Sequence, residues 1–369
     1  MTRPARVVIH LDALSQNLKR VRQLAPRARV MAVVKADAYG HGIERVGRTL
    51  AGSDAFGVSC LDEAQRLRHA GVMAPVVLLE GPFHESELDD IADLNLDLVL
   101  HSNHQIDMLE GHGAARGRQV WIKVDSGMHR LGFETGVLAD AWRRVVAAQP
   151  GGPLPRLMTH FAQAGCPDDP MTSRQLGVFA DACAGLPGER SAANSAAVIA
   201  FPDTQFDWVR PGLMLYGVSP LAGRNTADLG LVPAMTLQSE IIAVRRVGAG
   251  EPVGYGASWF APESMPIGIV AAGYGDGFPR HARPGTPVLV GGVRCAMIGF
   301  ASMDMLAVDL RPAPSAQVGE AVELWGRNLP IEEVAAHADT VAYELLCGVH
   351  RQRLLLIEDG QEPDPLPVQ

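Results

Sequence analysis

The chain has 369 residues, about two to three times the usual domain length, so two domains are expected and the larger can bury a full core. Hydrophobic residues make up 47% and charged residues 20%, a globular balance that excludes a disordered chain. Lys plus Arg is 32 against Asp plus Glu 41, a net charge of -9 without any basic run; this argues against a nucleic-acid or membrane surface and for a small-molecule partner.

From the N-terminus, Val7 to His10 reads as a short strand and the next stretch as an amphipathic helix with Leu11, Leu14, Leu18 and Val21 on one face. The apolar stretch Val7-Val8-Ile9 is far shorter than the ~7 to 15 residues of a signal-peptide core. No later run reaches the ~18 residues that span a bilayer, so a cytosolic chain is expected. Strand candidates then alternate with helical stretches: 30–35, 55–59, 75–80, 96–101, 119–125, 156–161, 190–194 and 207–210. Between them lie LDEAQRLRHAG, ESELDDIADLN and SRQLGVFADACAG, some opening on a polar residue and ending on Gly. Eight strands, each followed by a helix, predict a (β/α)8 TIM-like barrel, with a doubly wound open sheet as the alternative.

Beyond residue 227 the texture changes to strand-like runs divided by Gly and Pro: TLQSEIIAVRRV, PIGIVAAG, PVLVGGVRCAMIG, MLAVDL, EAVELWG and AYELLCGV. Only PIEEVAAHA has helical periodicity. The expected division is an α/β barrel over 1–227 and a mainly-β C-terminal domain over 228–369, with the first strand joining the C-terminal domain. The Pro-rich acidic tail EDGQEPDPLPVQ is expected to fray. The five cysteines, Cys60, Cys166, Cys183, Cys295 and Cys347, are odd in number and widely spaced, and none forms a C-x-x-C. They read as reduced thiols rather than a disulfide framework or zinc ribbon.

In a parallel barrel, catalytic side chains sit at the C-terminal ends of strands. There the chain places Lys35, Asp37, Tyr39 and His41 after the first barrel strand, Lys123, Asp125 and Arg130 after the fifth, His160 after the sixth, Asn194 and Ser195 after the seventh, and Arg210, Pro211 and Gly212 after the eighth. Singly, each has an ordinary structural explanation: an exposed lysine, a hydrogen-bonded histidine, an Arg210–Asp207 ion pair. Together they suit an anionic ligand. A lysine ending so apolar a strand would lose charge by desolvation and suit imine chemistry with an aldehyde. Ser195, opening a helix, offers a hydroxyl and N–H groups to a phosphate, and Gly212 permits close backbone approach. A lysine, a phosphate seat and an arginine fit pyridoxal 5'-phosphate (PLP).

VVKADAYGHG, IKVDSGMHRLGF, MTHFA, AANSA, VRPGLMLYG, VGYGASW, AAGYGDGFPR, SMDML and YELLCG occur in this order, and with them the chain resembles the alanine racemase family over nearly its whole length. The resemblance implies that Lys35 holds PLP covalently and that Tyr39, Asn194, Ser195, Gly212 and Leu213 help to bind it. It further implies that His160 supports Arg210, that Arg210 faces the pyridine nitrogen, and that Arg130 contacts the cofactor and the substrate carboxylate. Lys123 matches a position often carbamylated. Tyr255 would be the second base, opposite Lys35, and the Met303 backbone would bind the substrate carboxylate. The family implies L-alanine and D-alanine as substrates, and a homodimer whose Tyr255 and Met303 serve the partner's barrel. A broad-specificity or serine racemase is the alternative, and a non-catalytic PLP carrier a more distant one.

Other patterns carry less. In YGHGIERVG, Arg45 occupies the third glycine position of G-x-G-x-x-G, so no dinucleotide fingerprint is present. Gly273, Gly275 and Gly277 lack the Lys-Ser/Thr of a P-loop. His101, His104 and His112 lack a zincin glutamate and read as solvated helix-start residues. His350 and Arg351 follow YELLCGV where some relatives have a tyrosine, which bears on entrance shape and on tolerance of larger substrates.

Overall fold

The computed structural model describes residues 3–112, 117–350 and 354–358. Arg351 and the tail 359–369, on which two of the expectations above fall, lie outside the described residues. The chain divides into two compact units, one of Leu14–Leu215 with Ser219–Arg224, the other of Met1–Ala13, Tyr216–Val218 and Asn225–Gln369.

After strand β1 (Arg6–Ile9), the first of these units is built on β2 (Arg29–Val33), β3 (Ala55–Val58), β4 (Val76–Leu78), β5 (Leu96–Leu100), β6 (Val120–Lys123), β7 (Arg156–Met158), β8 (Arg190–Asn194) and β9 (Trp208–Arg210). Each pairs in parallel with the next, and β9 closes on β2, so the sheet is a closed eight-stranded barrel and the open doubly wound alternative fails. Helices cover the outer faces, which is why β3 and β4 are buried along their whole length and read as continuous apolar runs.

Met31, Val77, Val99, Trp121, Met158 and Trp208 meet inside the barrel. Trp121 and Trp208 pack edge to face at 5.6 Å. Arg156, at the start of its strand, lies 5.0 and 4.9 Å from these two rings. At the same N-terminal end, Arg29 covers Trp208 at 4.4 Å. Asp97, second residue of β5, has its carboxyl pushed up to about 6 by burial, against the pull of Arg156. Charge and packing thus plug the floor, leaving the C-terminal rim for chemistry.

The second unit is one sheet of β1 with β10 (Met235–Val247), β11 (Met265–Val270), β12 (Pro287–Val290), β13 (Val293–Ile298), β14 (Leu306–Asp309), β15 (Ala321–Trp325) and β16 (Leu355–Glu358). β1 lies between β10, antiparallel to it, and β16, parallel to it. β10 changes partner along its 13 residues: its first half pairs with β1 and β15, and from Ile241 onward it pairs with β11, with an irregularity between Ile241 and Ala243. AYELLCGV, expected as a strand, is instead a helix, Ala342–Cys347. The reason is its buried set, Ala342, Leu345 and Leu346, which recurs at helical spacing and leaves Tyr343 and Glu344 outside.

Candidate active site

Lys35 stands two residues beyond β2 and opens a turn of unusual hand. Ala36, Asp37, Ala38 and Tyr39 have φ of 53, 53, 55 and 50°, a left-handed turn built without glycine. At ~1–2 kcal/mol per residue such a turn persists only where its surroundings hold it. Here Ala38 N–H donates to Val34 O (2.8 Å), Gly40 N–H to Ala36 O (3.0 Å) and Gly42 N–H to Asp37 O (2.9 Å). Asp37 Oδ1 accepts from Ile43 N–H (3.0 Å) and Arg66 Nη2 (2.7 Å). The outcome is that Tyr39 is buried with its hydroxyl over Gly212: a Cβ on Gly212 would lie 2.4 Å from Tyr39 Oη.

Gly212 belongs to the loop after β9. Its N–H donates to Ser195 Oγ (2.8 Å), and Met214 N–H donates to the same oxygen (3.3 Å). The helix Ser195–Ala200 is capped by Asn194, whose side chain accepts from Ala197 N–H (3.0 Å). Ser195 Oγ thus fastens this loop as an acceptor and keeps its own O–H to donate, and Asn194 uses one of the helix N–H groups. The N–H of Leu213, itself 3% exposed, finds no acceptor among the described residues. A buried donor beside the Tyr39 hydroxyl fits a phosphate oxygen.

Arg210 ends β9 deep in the rim. Its Nη1 donates to Ser191 Oγ (2.5 Å), and its Nη2 to Thr159 O (2.5 Å) and Ala192 O (3.3 Å); Nη2 also faces His160 Nδ1 at 3.4 Å. Asp207 is not its partner, since that carboxylate accepts from Arg190 N–H. Burial lowers Arg210 to about 10, so it stays protonated at neutral pH, and burial together with Arg210, Lys123, Arg130 and Lys35 holds His160 well below the usual imidazole range. A neutral ring accepting on Nδ1 carries its proton on Nε2.

Lys123, at the end of β6, is pushed down to about 8 by burial first, then by Arg210, Arg130 and Lys35. The Lys35 side chain is 40% exposed and lies 3.9 Å from Glu80 Oε1. Arg130 rides a tight loop that turns back on β6. Asp125 Oδ1 accepts N–H bonds from Gly127 (2.9 Å), Met128 (3.1 Å) and His129 (3.0 Å), and Phe133 N–H returns to Lys123 O (2.8 Å). Lys35, Lys123, Arg130 and Arg210 therefore gather around a neutral His160, an excess of positive charge that suits a ligand carrying a phosphate, a phenolate and a carboxylate.

Glu80 is a rim carboxylate that the sequence reading does not single out, although it follows the apolar run VVLL at a strand end. Its loop is fixed: Gln105 Nε2 donates to Glu80 O (2.9 Å) and Pro82 O (3.1 Å). His101 belongs to this rim too, lowered by burial and then by Lys123, whereas His112 pairs with Asp89 at 3.5 Å. No metal-binding cluster exists among the described residues.

The other two candidate residues stand on the mainly-β unit. Tyr255, 74% exposed, tips a loop between Gly254 and Gly256, both at positive φ, and Val253 N–H closes that loop on Trp259 O (2.9 Å). Met303 is 53% exposed, its carbonyl accepts from Gly275 N–H (2.9 Å), and its own N–H finds no acceptor among the described residues.

Comparison with known proteins shows the family. Residues 9–220 match the alanine racemase N-terminal domain and residues 234–355 the alanine racemase C-terminal domain. The chain is 49% identical over 348 residues to the alanine racemase of Halorhodospira halophila, covering 94% of this chain and 96% of that one. Among solved structures, the biosynthetic alanine racemase of Pseudomonas aeruginosa superposes with a TM-score of 0.93 at 44% identity, covering 97% of this chain and 99% of that one. The alanine racemase of Bartonella henselae, solved with covalently bound pyridoxal phosphate, gives 0.86 at 27% identity, covering 96% and 99%.

Proposed function

The chain belongs to the alanine racemase family, and on that premise we propose that Lys35 and Tyr255 are the two bases with which it interconverts L-alanine and D-alanine on PLP. It is a PLP-dependent amino-acid racemase. The observation that carries the residue assignment is the gathering of Lys35, Lys123, Arg130 and Arg210 around neutral His160 at the barrel rim.

Bound PLP would supply an electron sink that acidifies the Cα proton of the amino acid it holds. Lys35 is the residue that attaches it, with Tyr39, Ser195, Gly212 and the Leu213 N–H around its phosphate and Asn194 holding that helix start. Racemisation requires one proton removed from one face of Cα and another returned on the opposite face, so a base is needed on each. Lys35 Nζ serves the D side and the Tyr255 phenolic oxygen the L side. Arg130 takes the substrate carboxylate, helped by the Met303 N–H. Arg210, protonated and facing the ring nitrogen, gives up no proton to it, which limits electron withdrawal and suppresses transamination. Lys123, at about 8, has enough free amine near neutral pH to add carbon dioxide, its nitrogen forming the new N–C bond and releasing one proton to solvent; as a carbamate it would become an anionic partner for Arg130.

The reading extends to a division of labour, with a cofactor-binding segment 1–227 and a segment 228–369 that completes the partner's site in a homodimer. A cytosolic location accompanies it: no helix among the described residues is long and apolar enough to cross a membrane, and five cysteines are free. The product would serve cell-wall precursors or enter D-alanine breakdown.

A coupled assay for D-alanine formed from L-alanine, run beside serine, lysine and arginine, tests the substrate; faster turnover of serine would establish the broad-specificity alternative. Borohydride reduction of the yellow holoenzyme should leave the label on the peptide containing VVKADAYGHG. Recovery on Lys123 or Lys19 would overturn the Lys35 assignment.

A further inference from the structure

We propose that Arg3 is a positioning residue whose guanidinium, reaching out of the segment before β1, locks the loop bearing Met303 in the shape that receives the substrate carboxylate. The proposal rests on the Met303 role assigned above. Arg3 Nη2 donates to Asp276 Oδ2 (2.8 Å), Asp304 O (3.1 Å) and Ala271 O (3.3 Å), and Nη1 lies 3.6 Å from Asp304 Oδ1. One side chain thus ties together the end of β11, the turn 273–277 and the residue next to Met303.

The two loops meet backbone to backbone. Tyr274 N–H donates to Ser302 O (3.0 Å) and Gly275 N–H to Met303 O (2.9 Å). A Cβ on Gly273 would lie 2.3 Å from Ser302 O and 2.5 Å from the Met303 carbonyl carbon, so no side chain fits between them. Ser302 Oγ donates to Met305 O (2.7 Å) and accepts from Met305 N–H (3.0 Å), closing the tight turn that presents the Met303 N–H. Asp276, fully buried, accepts from Gly273 N–H (3.0 Å) as well as from Arg3. The loop pair is therefore held by neutral backbone bonds and by Arg3, whose charge-assisted bond to Asp276 is the stronger kind of contact. All three hydrogen bonds leave from Nη2, with Nη1 adding the Asp304 carboxylate, so a lysine with three N–H donors on one nitrogen can replace only part of the set.

An N–H that binds a carboxylate alike in the resting and reacting complex affects KM and leaves kcat alone. The test uses the full-length holoenzyme with Arg3→Gln and Arg3→Lys, measuring KM and kcat for L-alanine, PLP content per chain, and amide hydrogen exchange over 273–277 and 302–305. Arg3→Gln should raise KM roughly tenfold, the scale of one lost charge-assisted bond, with kcat and PLP content held and exchange at Gly275 and Met305 accelerated. Arg3→Lys should recover part of each change. Unchanged exchange would show that Arg3 does not hold the loops. Falls in kcat and PLP content at constant KM would reduce Arg3 to a structural role. Faster exchange with unchanged KM would instead remove Met303 from carboxylate binding, and the proposal with it. If Arg3→Gln does not fold, Arg3→Lys carries the same three readouts, with a smaller rise in KM expected.

Discussion

His160 Nδ1 lies 3.4 Å from Arg210 Nη2, and each side chain sets the other's state: the guanidinium helps to keep the imidazole neutral, and a neutral Nδ1 can accept its hydrogen bond. The remaining Arg210 donors go to a hydroxyl and two carbonyls, and no carboxylate lies within ion-pair distance among the described residues. Such a cation is fixed in place and unable to pass on its proton.

Arg210→Glu reverses this. A carboxyl at that position can share a proton with the cofactor ring nitrogen, and its charge would raise His160 back toward the ordinary imidazole range. Racemisation should fall by about 10²-fold, the scale of one lost preorganised electrostatic contact, while transamination rises relative to it. The ratio of pyruvate formed to alanine racemised measures both, and an unchanged ratio in a folded variant refutes the role.

The barrel was legible because its strands are buried on both faces, so 190–194 reads as a strand with hardly an error in its ends. The rim followed from asking which polar residues end strands. AYELLCGV misled because a short apolar run suits either period, and only the burial of Ala342, Leu345 and Leu346 decides it. Nothing in KADAYG announces a left-handed turn, since Ala, Asp and Tyr all prefer the right-handed region and the hydrogen bonds that impose the turn include one from Arg66, far along the chain. Likewise Lys35 and Lys123 both follow apolar runs, but that burial pushes Lys123 down depends on the loops above it.

The contact of Tyr39 with Gly212 makes a second test. Gly212 does not have the positive φ that would demand glycine, so what excludes a side chain there is space: a Cβ would come within 2.4 Å of Tyr39 Oη and 3.1 Å of Cζ. Tyr39 is buried on its left-handed turn and yields little. Gly212→Ala should therefore weaken PLP binding by roughly tenfold or more, as overpacking does. Tyr39→Phe removes the nearest atom, so the double variant should lose less than the two single losses added. Absorbance titration of the apoprotein with PLP measures all three, and strict additivity would contradict the contact.

Asp97 offers a test of the barrel floor, away from the chemistry. Its carboxyl stands at about 6 in the folded chain, chiefly through burial, against about 3.9 in an unfolded one. The folded state then binds this proton more tightly, so the group favours folding below about pH 4 and that contribution is lost as pH rises through 6. Asp97→Asn removes the loss and should gain about 3 kcal/mol near pH 8, with no gain below pH 4. Denaturant midpoints across that window check the sign, and a gain independent of pH would refute the cause.

The last test asks which chain supplies which base. Tyr255 and Met303 are exposed on the mainly-β unit, as residues that complete a partner's site would be, and the family reading has them serve the other subunit. A two-fold dimer then holds two composite sites, each with Lys35 from one chain and Tyr255 from the other. Lys35→Ala and Tyr255→Ala should each be nearly inactive as homodimers. In a mixed dimer one site collects both lesions and the other is intact. Random equal mixing makes half the dimers mixed, with half of their sites whole, so activity should recover to roughly a quarter of wild type. If Lys35 and Tyr255 worked within one chain, every site would carry one lesion and mixing would restore nothing. Co-refolding the two variants, confirming heterodimers by mass and assaying D-alanine formation separates the arrangements, and absence of recovery in confirmed heterodimers would end the shared-site reading.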